Sequence, residues 1–196
     1  MARDSNKTLI ATVIAALSIW AALSVSAQDV QQTEEGVWTT SEQKASLVMP
    51  KAGRIIIRSA ASVSGTLEIA TGYQKEAQLS YTKVAKTGSR SRAIDYVDVL
   101  SVSMDAFSGR ARLEFRAPNP APWSGSPDAG IVYAKLLLPK GTFVEIEAAY
   151  FDIKARGPLS GLVIASSFGQ VVAAQIDSVV DISTSNQKVL LDAISG

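Results

Sequence analysis

Apolar residues recur at a fixed spacing in the last third of the chain. Three blocks that begin at Val144, Leu162 and Val180 align without gaps at a spacing of 18 residues. Within each block the apolar frame changes between two short runs, which predicts a bend near Tyr150-Phe151, Phe168-Gly169 and Asn186-Gln187. The aligned positions form three aliphatic columns: Val144, Leu162 and Val180; Ile146, Ile164 and Ile182; and Ile153, Val171 and Val189.

A repeat of this length with stacked aliphatic columns is typical of a solenoid, because one unit is too small to bury its own apolar face. The alternative is an antiparallel meander whose hairpins happen to have equal length. Three chemically matched columns favour the solenoid. We therefore predict an all-β fold in which an N-terminal antiparallel strand region leads into a short single-stranded, β-helix-like solenoid with 18-residue turns, clearest over residues 144–196.

Strand signals also fill the region before the blocks. Period-two alternation at 77–82 and 110–116 predicts half-buried strands, and 97–104 has one apolar face. Segments 54–58 and 65–71 flank a turn of small residues, and we expect no amphipathic helix. Residues 117–130 hold four of the seven prolines, which predicts a long surface loop. The polar segment 28–45 is expected to be a lead-in or tether, and 46–196 the strand-repeat domain.

The segment "VYAKLLLPKGTFVEIEAAYFDIKARGPLSGLVIASSFGQVVAA" resembles the "putative adhesin" family of exported β-strand-repeat domains, which is sometimes described as an autotransporter-adhesin head. The segment "RIIIRSAASVSGTLEIATGYQKEAQLSYTK" is similar to the opening hairpin of that family, so the resemblance runs from Arg54 to Gly196. It implies an exported interaction domain and supplies no catalytic residue. One departure is that only Gly169 places glycine at a bend, where Phe151 and Gln187 stand in the other two blocks.

The N-terminus has the layout of a secretory signal peptide. Arg3 and Lys7 precede an apolar stretch from Leu9 to Leu23, and Ala27 ends a small-residue cleavage sequence. We expect cleavage after Ala27 and no stable membrane span in the remaining chain; a retained anchor is the alternative, because the stretch is near the lower limit for crossing a bilayer. The predicted location is the periplasm, the outer membrane surface or the extracellular space.

The amino-acid composition excludes several kinds of catalytic and metal-binding site. Among 196 residues there is no histidine and no cysteine, so serine–histidine and cysteine–histidine catalysis, disulfides and the commonest metal ligands are excluded. We predict no enzyme activity, no metal and no cofactor. Glu145 and Glu147 share one face of a strand and are the best carboxylate pair, but their alternation with apolar residues favours an ordinary solvent face.

Charge argues against nucleic acid as a partner. The net charge is +1, and loss of residues 1–27 removes Arg3, Lys7 and Asp4 and leaves a formally neutral chain, which is not suited to bulk capture of phosphate. A local basic cluster, expected in a loop, and a tryptophan in the proline-rich loop are the candidate contact residues: Lys83, Lys86, Arg90, Arg92 and Trp123.

These observations favour an exported, non-enzymatic cell-envelope or surface interaction domain with an unknown protein or polysaccharide partner. The first alternative is a structural element that self-associates through its C-terminal strand edge, Val189–Ala193. The second is a cell-wall glycan hydrolase, for which Glu145 and Glu147 would have to act as the acid–base pair.

Overall fold

The computed structural model describes residues 29–185 and 188–194, and over this range the chain is all-β with one helix. The predicted signal peptide, residues 1–27, and the third predicted bend, Asn186-Gln187, lie outside the described residues. The elements are β1 (Val30–Glu34), β2 (Val37–Thr40), β3 (Gln43–Val48), β4 (Arg54–Ser59), β5 (Ser64–Gly72), β6 (Glu76–Lys86), α1 (Arg90–Val99), β7 (Ser101–Phe107), β8 (Arg110–Arg116), β9 (Ala129–Pro139), β10 (Phe143–Glu147), β11 (Tyr150–Arg156), β12 (Gly161–Ser166), β13 (Val171–Ala174), β14 (Val180–Thr184) and β15 (Val189–Asp192).

The strands form two mixed sheets, neither of which closes on itself. The six-stranded sheet has the order β14-β12-β10-β4-β8-β7. The nine-stranded sheet has the order β1-β2-β6-β9-β5-β11-β13-β15, and β3 also pairs with β6. No helix among the described residues has the length and apolar character needed to cross a membrane.

The 18-residue spacing is the register of the parallel strand pairs. In the six-stranded sheet Val144 lies opposite Leu162, and Leu162 lies opposite Val180. In the nine-stranded sheet Ile153 lies opposite Val171, which lies opposite Val189. Each block therefore contributes one strand to each sheet, and the bends of the first two blocks carry the chain from one sheet to the other.

Two further two-strand units belong to the same stack, although the sequence pattern did not include them. Ile55 of β4 lies opposite Val144, and Leu67 of β5 lies opposite Ile153, so β4 and β5 extend both sheets. On their other side β8 and β9 pair with them in parallel. The expectation of a hairpin at 54–71 is therefore wrong: the two strands lie in different sheets.

Two antiparallel strands from residues 76–107 cover one end of this stack. β6 pairs antiparallel with β9, β7 pairs antiparallel with β8, and α1 connects the two. The expectation of no amphipathic helix is wrong, because α1 is a helix of ten residues. Ala93, Tyr96, Val97 and Leu100 are buried at helical spacing, and α1 takes residues 97–99 from the predicted strand.

The polar segment 28–45 is built into the nine-stranded sheet from Val30 onward. β1 and β2 form a hairpin, β2 pairs with β6, and β3 pairs with another part of β6. The segment predicted as a lead-in or tether thus supplies β1 and β2, whereas the predicted antiparallel strand region is correct for β3 and β6 and wrong for β4 and β5. Because these strands are mostly polar and partly exposed, their alternation carries little hydrophobic signal.

The core lies between the inward faces of the two sheets. Ile55, Val144, Leu162, Ile153 and Val171 are each 0% exposed. The second predicted bend needs its glycine: Gly169 has φ +140°, and a Cβ atom there would collide with the carbonyl oxygen of Phe151. With the inward positions fixed in this way, alternate residues of every strand must face outward.

Candidate functional site

The outward face of the nine-stranded sheet carries a trough of about 1120 Å³ that crosses its strands. Side chains from β3, β6, β9, β5, β11, β13 and β15 line it. Because β3 pairs only with β6 and β15 only with β13, the trough runs from one edge of the described sheet to the other. With neighbouring strands about 4.8 Å apart, seven strands span roughly 29 Å.

Strand register explains the floor of the trough. Leu137 lies opposite Ala70, Ala70 opposite Arg156, and Arg156 opposite Ala174. These side chains form one outward row that crosses the sheet. Because Ala70 and Ala174 are short, the row is low on either side of Arg156 and leaves an apolar floor there.

Longer charged side chains form the adjacent wall. Glu68 lies opposite Lys135 on one neighbouring strand and opposite Lys154 on the other. Glu68 pairs with Lys154 at 3.3 Å between Nζ and Oε1. Lys135 has no ion pair among the described residues, which leaves one positive charge unbalanced in this row.

Arg156 adds a second positive charge at the centre of the trough. Its guanidinium donates to the amide oxygen of Gln175 at 3.2 Å, and it has no ion pair within the part of the chain that the structure describes. At the β3 end Lys44 pairs with Glu42 at 3.4 Å. Glu76 and Asp192 lie toward the two ends, so the centre is positive and the ends are neutral or negative.

A smaller depression of about 430 Å³ adjoins the trough and shares Glu68, Lys135 and Lys154 with it. Tyr133, which lies two residues before Lys135 on β9 and faces the same way, is 46% exposed. The depression therefore adds an aromatic surface beside the charged row.

Sequence reasoning missed this site because its residues come from strands far apart along the chain. Lys44, Lys135 and Lys154 are not clustered in sequence, and each looks like an ordinary solvent-facing position. The 18-residue register locates only the β13 neighbours of Lys154, because Lys44 and Lys135 lie on β3 and β9, outside that spacing.

The predicted basic cluster is not a single exposed loop. Lys83 is part of β6, is 6% exposed, and donates from Nζ to the carbonyl oxygen of Val97 near the end of α1. Burial lowers the pKa of Lys83, and the nearby Asp98 carboxylate partly opposes that shift. A lysine at a helix C-terminus satisfies carbonyl groups that have no partner within the helix, so Lys83 has a structural explanation.

Lys86, Arg90 and Arg92 are exposed, but they do not converge on one surface feature. Lys86 ends β6, and Arg90 begins α1 and pairs with Asp29 at 3.2 Å. Arg92 lies 3.6 Å from the carboxylate of Asp128. None of the three lines the trough.

Trp123 fixes the proline-rich loop to the body of the protein. It is 7% exposed, and its ring meets Tyr96 edge-on at 5.4 Å between centroids. Its Nε1–H donates to the carbonyl oxygen of Ser62 at 2.9 Å. Little of the side chain is available to a partner, so packing accounts for this residue better than contact does.

Glu145 and Glu147 lie on the outward face of the six-stranded sheet and are ion-paired. Arg54 meets Glu145 at 2.8 Å, and Arg58 meets Glu147 at 2.9 Å. Both pairs join β4 to β10. Among the described residues no group of three or more acidic side chains is arranged to hold a metal ion.

Comparisons with known proteins give distant likenesses. No protein-family model matches the chain, and no curated protein matches it. A putative cell adhesion protein from Clostridium sporogenes is 8% identical, with a TM-score of 0.39 over 78% of this chain and 99% of that one.

Two further solved structures are similar at the same level. A putative lipid binding protein from Parabacteroides distasonis is 12% identical, with a TM-score of 0.38 over 76% of this chain and 66% of that one. A putative adhesin from Bacteroides fragilis is 8% identical, with a TM-score of 0.26 over 79% and 97%. Two of the three descriptions name the adhesin class that the sequence resembles, but likenesses this weak transfer no function.

Trp123→Phe should lower the free energy of unfolding by about 1–2 kcal/mol, because it leaves the Ser62 carbonyl oxygen without its donor. Urea unfolding measures this. Phe107→Leu is the control, since Phe107 is 57% exposed and its replacement should change stability by less than about 0.5 kcal/mol. Unchanged stability of the Trp123 variant together with lost envelope binding would instead make Trp123 a contact residue.

Proposed function

We propose that this protein is an exported, non-enzymatic domain that binds a component of the cell envelope or surface through the trough of the nine-stranded sheet. The observation that carries the proposal is the unbalanced positive centre of that trough, at Lys135 and Arg156, above an apolar floor. Concave surfaces with a few placed charges are where proteins commonly bind ligands.

Export is supported by the N-terminal sequence. A basic start, an apolar stretch from Leu9 to Leu23 and small residues up to Ala27 are the parts of a signal peptide. The expected location is the periplasm, the outer membrane surface or the extracellular space. A chain without cysteine depends on its core and its strand ladders for stability there.

The non-enzymatic role is supported by what the candidate catalytic groups do. The chain has no histidine or cysteine, and Glu145 and Glu147 are each engaged by an arginine on a neighbouring strand. That pair also lies on the sheet opposite the trough. A glycan hydrolase acting through these carboxylates is therefore the less favoured hypothesis.

We further propose that the units from β10 to β15 form a short β-solenoid of 18-residue turns. The parallel register of Val144 with Leu162, and of Leu162 with Val180, supports this description. In this proposal the stack is a scaffold whose inward columns hold it together and whose outward rows bind the partner.

Self-association is a second candidate function, favoured by the exposed edge at β15. Within the described residues β15 pairs only with β13, and Val189, Leu190 and Leu191 are 37%, 42% and 54% exposed. The carbonyl oxygens of Lys188 and Asp192 accept hydrogen bonds from the N–H groups of Val171 and Gln175, so the alternation of the ladder directs the backbone N–H of Leu191 away from β13. A second copy of the chain could pair there.

Leu191→Pro tests this second candidate, because it removes an outward N–H without removing a bond to β13. Sedimentation velocity should show concentration-dependent oligomers of the original chain and a monomer for the variant. A chain that stays monomeric at every concentration would contradict self-association.

Ala70→Tyr tests the main proposal by filling the floor of the trough. Ala70 is exposed on β5, so the larger side chain should be tolerated and should block the channel. We expect saturable co-sedimentation with envelope fractions of the source cell to fall about tenfold.

Ala165→Tyr is the matched control, since Ala165 is an exposed alanine on β12 of the opposite sheet. It should bind the envelope like the original chain. Equal binding by both variants would place the interaction surface elsewhere.

A further inference from the structure

We infer that the ligand of the trough is a linear polysaccharide that carries carboxylate groups. This inference rests on the proposed function, and it adds the chemical class of the partner. Four features of the described residues support it: the length of the trough across seven strands, the mixture of polar groups along it, the charge at its centre and the aromatic surface beside it.

The length of the trough points to a linear polymer. It extends from β3 to β15, and each of these two strands pairs with a single strand among the described residues. A small molecule would leave most of a channel of roughly 29 Å unfilled. A chain of sugar units can lie along it and contact several strands in turn.

The walls combine hydrogen-bond donors and acceptors. Lys135 and Arg156 donate, Glu76 and Asp192 accept, and a third group of side chains does both: Ser46, Gln78, Ser80 and Gln175. Such a mixture suits a ligand rich in hydroxyl groups. An acyl chain fits less well, because ionisable groups flank the apolar floor and the channel is open to solvent.

The positive charge at the centre of the trough indicates that the ligand carries an acidic group. Glu68 lies between Lys135 and Lys154 but balances only one of them, and Arg156 bonds to the neutral Gln175. Two positive charges thus remain near the middle, whereas Lys44 is paired with Glu42. A sugar carboxylate placed at the centre would be favoured there, and one near Glu76 or Asp192 would gain less.

Tyr133 gives the ligand an apolar surface to rest on. It is 46% exposed and lies on the same outward face of β9 as Lys135. One face of a sugar ring presents C–H groups, which pack on an aromatic ring while the hydroxyl groups bond to the polar side chains. Tyr133 and Lys135 can therefore contact the same sugar unit.

The test measures binding of polygalacturonate to the purified full chain at low salt, by isothermal titration calorimetry. Fully methyl-esterified polygalacturonate has the same backbone without the charges, and we expect it to bind about tenfold more weakly. Polyglutamate has the charges without the sugars and should also bind about tenfold more weakly. Equal binding of either control polymer would overturn the inference.

Variants assign the binding to the trough. Lys135→Gln with Arg156→Gln should weaken polygalacturonate binding about tenfold. Lys51→Gln with Arg110→Gln removes the same charge from exposed positions outside the trough and should change affinity less than about twofold. Equal losses in the two double variants would contradict a site in the trough.

Glu68→Gln provides a gain of binding that misfolding cannot imitate. It releases Lys154 from its ion pair and adds a third unbalanced positive charge, so affinity for polygalacturonate should rise a few-fold. Unchanged or weaker binding would contradict the role of this charged row. If polygalacturonate does not bind but Ala70→Tyr still removes envelope binding, the glycan inference fails and the proposed function stands.

Discussion

The parallel register between successive two-strand units is the constraint on which the rest of the structure depends. Once Val144, Leu162 and Val180 occupy one column, the sheet face on which each remaining residue of those strands lies is fixed. Burial of such aliphatic side chains contributes about 1.5–3 kcal/mol each, and a shift of one residue would expose the entire set. The outward rows, and with them the trough, are a consequence of this inward packing.

The two outward faces of the stack then differ in charge balance. On the six-stranded sheet Arg54 and Arg58 each have a glutamate partner on β10. On the nine-stranded sheet Glu68 pairs with Lys154 alone of its two lysine neighbours, and Arg156 bonds to an amide. Exposed ion pairs contribute only about 0–1 kcal/mol, which is small beside the core. The difference therefore bears on what each face can bind, and hardly on whether the chain folds.

Sequence patterns predicted the elements whose period repeats without interruption. The columns at Ile146 and Ile153 predicted the register of β10 to β15 because paired residues of successive blocks are 18 apart. The unit of β4 and β5 was not predicted as part of the stack. The turn between these two strands is longer than the turn between β10 and β11, so their apolar positions do not align with the other blocks. α1 was missed because residues 97–104 have one apolar face at strand spacing, and the helix ends inside that segment at Val99.

The site could not be predicted in the same way. Lys135 and Lys154 meet through β5, which lies between their strands but precedes both in the chain. Lys83 and Trp123 are residue types that are common at contact surfaces, but both are buried in the structure. Inward positions are recognisable from periodicity, whereas an outward residue belongs to a site only if its neighbours on other strands do, and only the topology identifies those neighbours.

The most direct test of the trough as the interaction surface is a lysine footprint. The purified chain would be acetylated briefly with and without bound envelope fractions, and modification at each lysine measured by mass spectrometry. We predict that binding protects Lys44, Lys135 and Lys154, which line the trough, and leaves Lys51 and Lys86 as reactive as before. Protection at Lys51 and Lys86 with none at the trough lysines would contradict the account.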